Sequence, residues 1–196
     1  TPVTIDAKAG VLYVPVGNPA PDFYGDVREG DNLYANSVVA LDIKTGKLLW
    51  YRQMVKHDVH DSDLSQVGPL FTTKIDGKET EVISISGKDG YLRLLDRKTQ
   101  KEFYKVPTTT MENFDVPPTV EGTRRCPGLL GGVEWNGPAY DAERNQLYVP
   151  AVDWCGTFNK FSKPPEYAKM THYYGGSVVS EPRDKSKGWG TAFNAQ

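Results

Sequence analysis

The sequence is poor in several features that mark familiar classes of protein. Of its 196 residues only two are cysteines and three are histidines, and the formal net charge is −2. The balanced charge argues against a nucleic-acid partner, which usually requires a basic face. No apolar run is long enough to cross a bilayer, and Thr1-Pro2 opens no signal peptide. Segments with helical periodicity and helix caps are almost absent.

Turn-forming and aromatic residues are frequent by comparison. The chain contains 19 glycines and 14 prolines, and 11% of its residues are aromatic. This composition suits an all-β protein with many turns.

Two sequence frames recur along the chain. The first frame reads Asp-Ala, four residues, then Leu-Tyr-Val-Pro; it occurs at 4–20 and 139–155, with a weaker copy at 74–90. The second frame reads apolar strand, Asp-x-Lys-Thr turn, then a strand that ends in an aromatic residue. It occurs at 37–53 and 90–106. Each frame predicts a β-hairpin.

Tandem repetition of paired hairpins predicts a β-propeller, because two hairpins make one four-stranded blade. Residues 188–196 resemble the opening of a third copy of the second frame. We therefore expect an all-β propeller with roughly three blades, at approximately 1–60, 66–110 and 130–196. Long excursions are expected at 15–36, 107–132 and 155–187. A β-sandwich with long loops is the alternative, but it does not explain the two interleaved frames.

Three blades do not close a ring, since propellers use about four to eight. We therefore expect this chain to be a piece of a longer protein whose remaining blades are its partners. Loops between strands carry the site in such a fold. The densest polar loop is HDVHDSD, from His57 to Asp63. By composition alone it is a metal site, an acid–base device or a solvated loop.

Five motifs follow one another along the chain: GNPAP, GDNLY-NSVVALD-TGKLLW, HD-x-x-D-x-D, GKDG-LLDR and CPGLLGG-x-x-W. This ordered set resembles the quinoprotein alcohol dehydrogenases, and the resemblance covers nearly the whole chain. It implies an eight-bladed propeller that holds pyrroloquinoline quinone (PQQ) and a metal ion on the ring axis. The hairpin ending at Trp50 resembles the family's tryptophan docking motif, which non-enzymatic propellers share.

The resemblance implies roles for the first two loops. Asn18 in GNPAP matches a metal-binding asparagine, and a carbonyl oxygen suits calcium; a plain surface turn is the alternative. Asp61 matches the catalytic base beside the metal, which takes the proton of the substrate hydroxyl as hydride leaves for the quinone. His57 and Asp58 match residues that buttress the loop. No zinc pattern accompanies the histidines, so a zinc site is not expected.

Three positions in the second half are implied to contact the quinone. Lys88 in GKDG would donate to the quinone oxygens; an ordinary solvated lysine is the alternative. Glu134 stands where relatives carry an asparagine, which implies a raised pKa or a Lys88–Glu134 pair. Trp135 lines the cavity or packs in the blade core, and we favour the core. His60 replaces a common tryptophan, which implies a more polar pocket wall.

The resemblance also implies a disulfide between Cys126 and Cys155, the pairing found in methanol dehydrogenase. Such a bridge fits an oxidising periplasm; two buried free thiols are the alternative. The cysteine count by itself decides nothing.

The metal is calcium or, as the alternative, a lanthanide. Asp63 stands where lanthanide-dependent members carry an extra aspartate, and residues two apart in an extended segment point to the same side. Some calcium-using sugar dehydrogenases also carry Asp there, so calcium is favoured. A purely structural role in the loop is the remaining interpretation.

The function expected from the resemblance is oxidation of an alcohol, with electrons passed to a cytochrome c or a quinone. A sugar or polyol dehydrogenase and a non-catalytic propeller scaffold are the alternatives. Several family features are missing from the sequence: the vicinal cysteine pair, the stacking tryptophan and the upstream glutamate ligand of the metal. The segment therefore supplies about half a site, and by itself it is expected to be inactive.

Overall fold

The computed structural model describes residues 2–196, which fold mainly as antiparallel β-sheet. Four strands near the N-terminus form the first sheet in chain order. They are β1 (Thr4–Asp6), β2 (Val11–Pro15), β3 (Ser37–Asp42) and β4 (Leu48–Gln53). The next four strands repeat this arrangement in the second sheet. They are β5 (Gln66–Ile75), β6 (Lys78–Ser86), β7 (Tyr91–Asp96) and β8 (Glu102–Pro107).

The third sheet begins the same pattern again, with strand order β10-β11-β14. Its strands are β10 (Ala139–Asp141), β11 (Gln146–Asp153) and β14 (Lys187–Asn194). The strand β14 pairs with β11 as β3 pairs with β2, so residues 188–196 do open a third copy of the second frame. The three sheets follow the order predicted for blades, and the exact blade boundaries stay a prediction.

The excursions of the chain form a small fourth sheet. Its strands are β9 (Thr123–Arg125), β12 (Gly156–Lys160) and β13 (Gly176–Ser180), with β12 in the middle. Two short 3-10 turns, at Gly25–Val27 and Arg183–Lys185, lie in the excursions as well. Within residues 2–196 no helix is long and apolar enough to cross a membrane.

The Asp-x-Lys-Thr turns close their hairpins with the same hydrogen bonds. The Oδ1 atom of Asp42 accepts from the backbone N–H of Lys44 at 3.1 Å and of Thr45 at 2.8 Å. Asp96 Oδ1 accepts from the matching amides of Lys98 at 2.7 Å and Thr99 at 2.8 Å. An aspartate that bonds the backbone two and three residues ahead fixes such a turn locally, which is why the sequence signal was readable.

The second sheet is buried on both faces. Val82, Leu92 and Leu94 pack into a core shared with Leu147 and Val149 of the third sheet. Ile83, Ile85 and Leu95 point the other way, into a core with Tyr13 and Val38 of the first sheet. Successive strand residues alternate between faces, so one strand can serve two cores. Three sheets stacked around two cores are a propeller arrangement and not a two-layered sandwich.

Candidate functional site

The loop between β4 and β5 is held from inside by one buried carboxylate. Asp58 is 2% exposed and accepts hydrogen bonds from the backbone N–H groups of His60 (3.0 Å) and Ser62 (2.7 Å). The Nδ2 of the buried Asn36 donates to the same carboxylate at 3.2 Å. Asp58 therefore has the buttressing role expected from the sequence.

The two histidines of this loop are bound to different backbone segments. His57 Nδ1 lies 2.8 Å from the carbonyl oxygen of Gly30, and His60 Nε2 lies 3.0 Å from that of Val116. The His60 ring packs edge-on against Phe158. Burial lowers the pKa of His60 to about 3, with the nearby Arg125 cation as the second cause. His60 lines a separate cavity with Asp58 and Arg125, and its effect on the polarity of the substrate pocket stays a prediction.

Asp61 meets Lys88, which arrives from the turn between β6 and β7. The Lys88 ammonium donates to Asp61 Oδ2 at 2.7 Å and lies 3.8 Å from Asp63 Oδ2. The Lys88 side chain is only 8% exposed, so it is not the solvated turn lysine of the alternative interpretation. Burial raises the pKa of Asp61 to about 6; Lys88 opposes this shift, and the charges of Asp63 and Asp22 add to it.

Asp63 connects the loop to the GNPAP motif. Its Oδ1 accepts a hydrogen bond from the backbone N–H of Asn18 at 2.8 Å. A Cβ atom on Gly17 would lie 2.4 Å from the same oxygen, and one on Gly87 would lie 2.8 Å from the Asp63 carbonyl oxygen. Glycine at both positions permits this approach. Three loops separated in sequence thus bring Asn18, Asp61, Asp63 and Lys88 together.

Of the two alternatives expected for Glu134, the structure favours the raised pKa. Burial raises the pKa of Glu134, against the opposing effect of Lys88. Within residues 2–196 the ion pairs of Lys88 go to Asp61 and Asp63, so the alternative Lys88–Glu134 pair does not form. Trp135 is 66% exposed, and the expectation that it packs in a blade core was wrong. Contact of Glu134 and Trp135 with a cofactor stays a prediction.

Asp22 is a functional candidate that the sequence did not reveal. It lines a cavity of about 340 Å³ together with Asp61, and the other walls are largely apolar. These walls come from Phe23, Leu129, Tyr174 and Val178. Burial raises the pKa of Asp22 to about 6, the Asn18 side chain offsets part of this shift, and the Asp63 charge adds to it. The one sequence signal for Asp22 is its position directly after the GNPAP motif. Its cavity could not be predicted, because the other walls come from residues far along the chain such as Tyr174.

Cys126 and Cys155 form the predicted disulfide, with the Cα atoms 4.5 Å apart. Cys126 follows β9, and Cys155 lies between β11 and β12. The bridge therefore joins the small fourth sheet to the third sheet. The alternative of two free thiols is excluded.

The oxygen donors of this site suit a hard cation. Asn18, Asp61 and Asp63 carry the types of carbonyl and carboxylate oxygen that calcium and similar ions prefer. The Lys88 ammonium lies beside both carboxylates, which indicates that this position favours positive charge. Residues 2–196 contain no group of three or more His, Cys, Asp or Glu placed to hold a metal. Three donors are also fewer than the six to eight of a calcium site, so further ligands would have to come from outside this set.

Comparison with known proteins agrees with the architecture. Residues 1–117 match the family described as PQQ: glucose/ethanol/alcohol dehydrogenase, beta-propeller domain. Quinoprotein glucose dehydrogenase of Escherichia coli (strain K12) is 38% identical over 157 residues, covering 71% of this chain and 19% of that protein. Quinohemoprotein alcohol dehydrogenase of Comamonas testosteroni is 32% identical over 165 residues, covering 76% of this chain and 23% of that protein.

Solved structures show the same likeness in three dimensions. The crystal structure of the Comamonas testosteroni quinohemoprotein alcohol dehydrogenase superposes with a TM-score of 0.85 at 25% identity, covering 98% of this chain and 32% of that one. A europium-containing methanol dehydrogenase matches with a TM-score of 0.80 at 23% identity, covering 91% of this chain and 33% of that one, which shows the fold alone. The chain spans about a fifth of the length of the first curated relatives.

Proposed function

Because the chain belongs to the β-propeller domain family of the PQQ-dependent glucose, ethanol and alcohol dehydrogenases, we propose that it forms about three blades of an enzyme that oxidises a CH–OH group. The observation that carries the proposal is the convergence of three loops: Lys88 Nζ lies 2.7 Å from Asp61 Oδ2, and the backbone N–H of Asn18 donates to Asp63 at 2.8 Å. A propeller that only binds protein partners has no need to desolvate these groups, since burying charge is costly.

The chemistry of the residues present suits the cofactors of that family, provided that the remaining metal ligands come from other parts of the complete protein. Asn18, Asp61 and Asp63 would hold the metal, with calcium favoured over a lanthanide, and Lys88, Glu134 and Trp135 would contact the quinone. These residues would place the quinone as a hydride acceptor beside a metal that would serve as a Lewis acid. The nearly buried Lys88 ammonium is a suitable partner for an anionic cofactor, because it has donor protons beyond the one that Asp61 accepts.

Asp61 is proposed as the general base. Its carboxylate reaches the cavity that Asp22 also lines, so a substrate hydroxyl entering there can donate its proton to Asp61. Lys88 holds that carboxylate in place, and Asp58 fixes the loop below it. Such positioning matters because a base must lie within hydrogen-bond reach of the proton that it removes.

The surroundings of the enzyme are proposed from the same features. The Cys126–Cys155 disulfide supports an oxidising compartment, which for a bacterial protein is the periplasm. The electron acceptor is proposed to be a cytochrome c or a quinone, and the remaining blades complete the ring.

The test uses the complete protein loaded with PQQ and Ca²⁺. Asp61→Asn removes the base while keeping the size of the side chain, and we expect turnover to fall by at least about a hundredfold, the scale of general-base loss. Turnover is measured with a dye acceptor over a panel of alcohols and aldoses.

The matched control is Asp26→Asn. Asp26 lies in the 15–36 excursion, where it pairs with Lys160 at 2.6 Å. It does not line the cavity beside Asp61, so its replacement should leave turnover unchanged. Near-normal turnover of the Asp61→Asn enzyme would reject the assignment of the base. Absence of PQQ-dependent oxidation across the whole panel in the wild-type protein would reject the proposed function itself.

A further inference from the structure

The cavity beside Asp61 contains a second carboxylate, that of Asp22. Asp22 has no part in the proposed removal of the hydroxyl proton, which Asp61 carries out. Asp22 and Asp61 both line this space of about 340 Å³, together with Phe23, Leu129 and Tyr174. This volume lies at the lower end of the range of about 300–1,000 Å³ typical of small-molecule pockets. An apolar cavity with a few convergent polar groups is the usual form of a site that orients a small ligand.

The backbone on both sides of Asp22 is fixed by other residues. The carbonyl oxygen of Pro21 accepts hydrogen bonds from Arg28 Nη2 at 3.1 Å and Nε at 3.3 Å. The N–H of Phe23 donates to the carbonyl oxygen of Tyr174 at 2.8 Å. Because neighbouring groups hold this segment, its backbone conformation does not depend on the Asp22 carboxylate. That carboxylate accepts a hydrogen bond from the Asn18 side chain and lines the cavity, where it is held as a further acceptor.

We propose that Asp22 is a specificity-determining residue that selects substrates with a second hydroxyl group, such as polyols and sugars. This inference rests on the proposed function. The hydroxyl that loses its proton faces Asp61, and a neighbouring hydroxyl of the same substrate donates a hydrogen bond to Asp22. The apolar walls contact the carbon skeleton between them.

The preference follows from the cost of an unpaired acceptor. A monohydric alcohol in this cavity would displace water from Asp22 without replacing its hydrogen bond, which penalises binding. A polyol restores that bond, and a bond to a charged acceptor is stronger than a neutral one. Since Asp22 is about half-buried, we expect a selectivity of about ten- to a hundredfold, the range of one charge-assisted hydrogen bond.

The experiment compares three-carbon substrates that differ only in hydroxyl count: 1-propanol, 1,2-propanediol and glycerol. The complete PQQ-loaded protein is assayed as wild type, Asp22→Asn, Asp22→Leu and the control Asp26→Asn. We expect the ratio of kcat/KM for glycerol to that for 1-propanol to fall by about ten- to a hundredfold in Asp22→Leu. A smaller fall is expected in Asp22→Asn, and none in Asp26→Asn. Calorimetric titration of glycerol into quinone-free protein gives a second readout, and its affinity should fall in the same order.

Other outcomes separate this inference from the proposed function. An unchanged glycerol preference in Asp22→Leu, with Asp61-dependent turnover retained, would overturn the role of Asp22 and leave the dehydrogenase intact. An equal loss for all three substrates would also overturn it, because Asp22 would then act on the chemistry. If Asp22→Leu does not fold, the Asn variant still decides, since an unchanged ratio and an unchanged glycerol affinity there contradict the inference.

Discussion

At the scale of single residues, neighbours assign different roles to the three aspartates of the 57–63 loop. Asp58 accepts three hydrogen bonds in the interior, Asp61 pairs with Lys88, and Asp63 accepts the amide of Asn18. Asp61 and Asp63 were expected to point to the same side because they are two residues apart in an extended segment. Their carboxylates do lie close together, but the segment is not extended at Asp61. Asp61 has a φ of 58°, in the left-handed region, yet both carboxylates approach the same ammonium.

The metal preference is a prediction at this scale. Reconstitution of the complete apoprotein with PQQ and either Ca²⁺ or La³⁺ should show activity with Ca²⁺ and a dependence of any La³⁺ activity on Asp63. A trivalent ion gains more from an extra anionic oxygen than a divalent ion does. Asp63→Ala should therefore lower La³⁺-supported turnover more than Ca²⁺-supported turnover. Activity with Ca²⁺ alone, unaffected by Asp63→Ala, would leave Asp63 with only its bond to the Asn18 amide.

At the scale of elements, the hairpin turns are the most regular structural feature. Hydrogen bonds from Thr45 and Lys44 lower the pKa of Asp42, with the Thr45 hydroxyl as the largest cause. For Asp96, slight burial works in the opposite direction, but bonds from Thr99 and Lys98 outweigh it and lower the pKa. Equivalent residues in two sheets therefore titrate alike, because their sequence environment is the same.

This regularity predicts a pH dependence of stability. A carboxylate whose folded pKa is depressed stabilises the fold above its unfolded pKa of about 3.9, and that contribution is lost as pH falls through the lower folded value. Asp42→Asn combined with Asp96→Asn should lower the Tm at pH 7, and the difference from wild type should shrink below about pH 4. Thermal unfolding of the complete protein followed by circular dichroism measures this difference. Asp184→Asn, in an exposed 3-10 turn, is the control, and a Tm gap that stays constant with pH would contradict the assignment.

The sequence allowed prediction of elements that are fixed by interactions between nearby residues. It did not allow prediction of features that depend on contacts between distant residues. The hairpins were readable because each turn aspartate bonds amides two and three residues away. The convergence of Asn18, Asp61 and Lys88 was accessible only through family resemblance. Asp22 was not identified because its surroundings include Tyr174, far along the chain. The packing of His60 against Phe158 was not foreseen for the same reason. The prediction for Trp135 was wrong because residue type alone does not determine whether an aromatic side chain is buried.

At the scale of the whole molecule, the excursion at 155–187 packs against the excursion at 15–36. Gly175 has a φ of +72°, and a Cβ atom there would lie 2.5 Å from the Tyr24 Cβ. A Cβ on Gly176 would lie 2.1 Å from the Asn159 carbonyl oxygen and 2.8 Å from the Phe23 Cβ. This pair of glycines therefore allows the third repeat to reach the first and to close the wall around Asp22.

A substitution at this contact should disturb the substrate pocket while the sheets persist. Gly176→Ala must displace the backbone of β12 or Phe23, so we expect a lower Tm and a weakened glycerol preference in the complete protein. Gly188→Ala on β14 is the matched control, because a Cβ there meets nothing within 4 Å. Equal Tm values and equal substrate ratios for the two variants would show that the contact does not shape the pocket.

The hydrogen bond between Phe23 and Tyr174 also predicts which part of the molecule opens first on heating. Most strand pairs join neighbours along the chain, whereas these two residues lie near its opposite ends. Contacts between distant residues carry the largest loop-closure entropy and form late in folding. Segments held by few such contacts are also the first to open from the native state. We therefore expect the pocket to open before the sheets melt, so that on heating the complete protein should lose its proposed turnover below the Tm measured by circular dichroism.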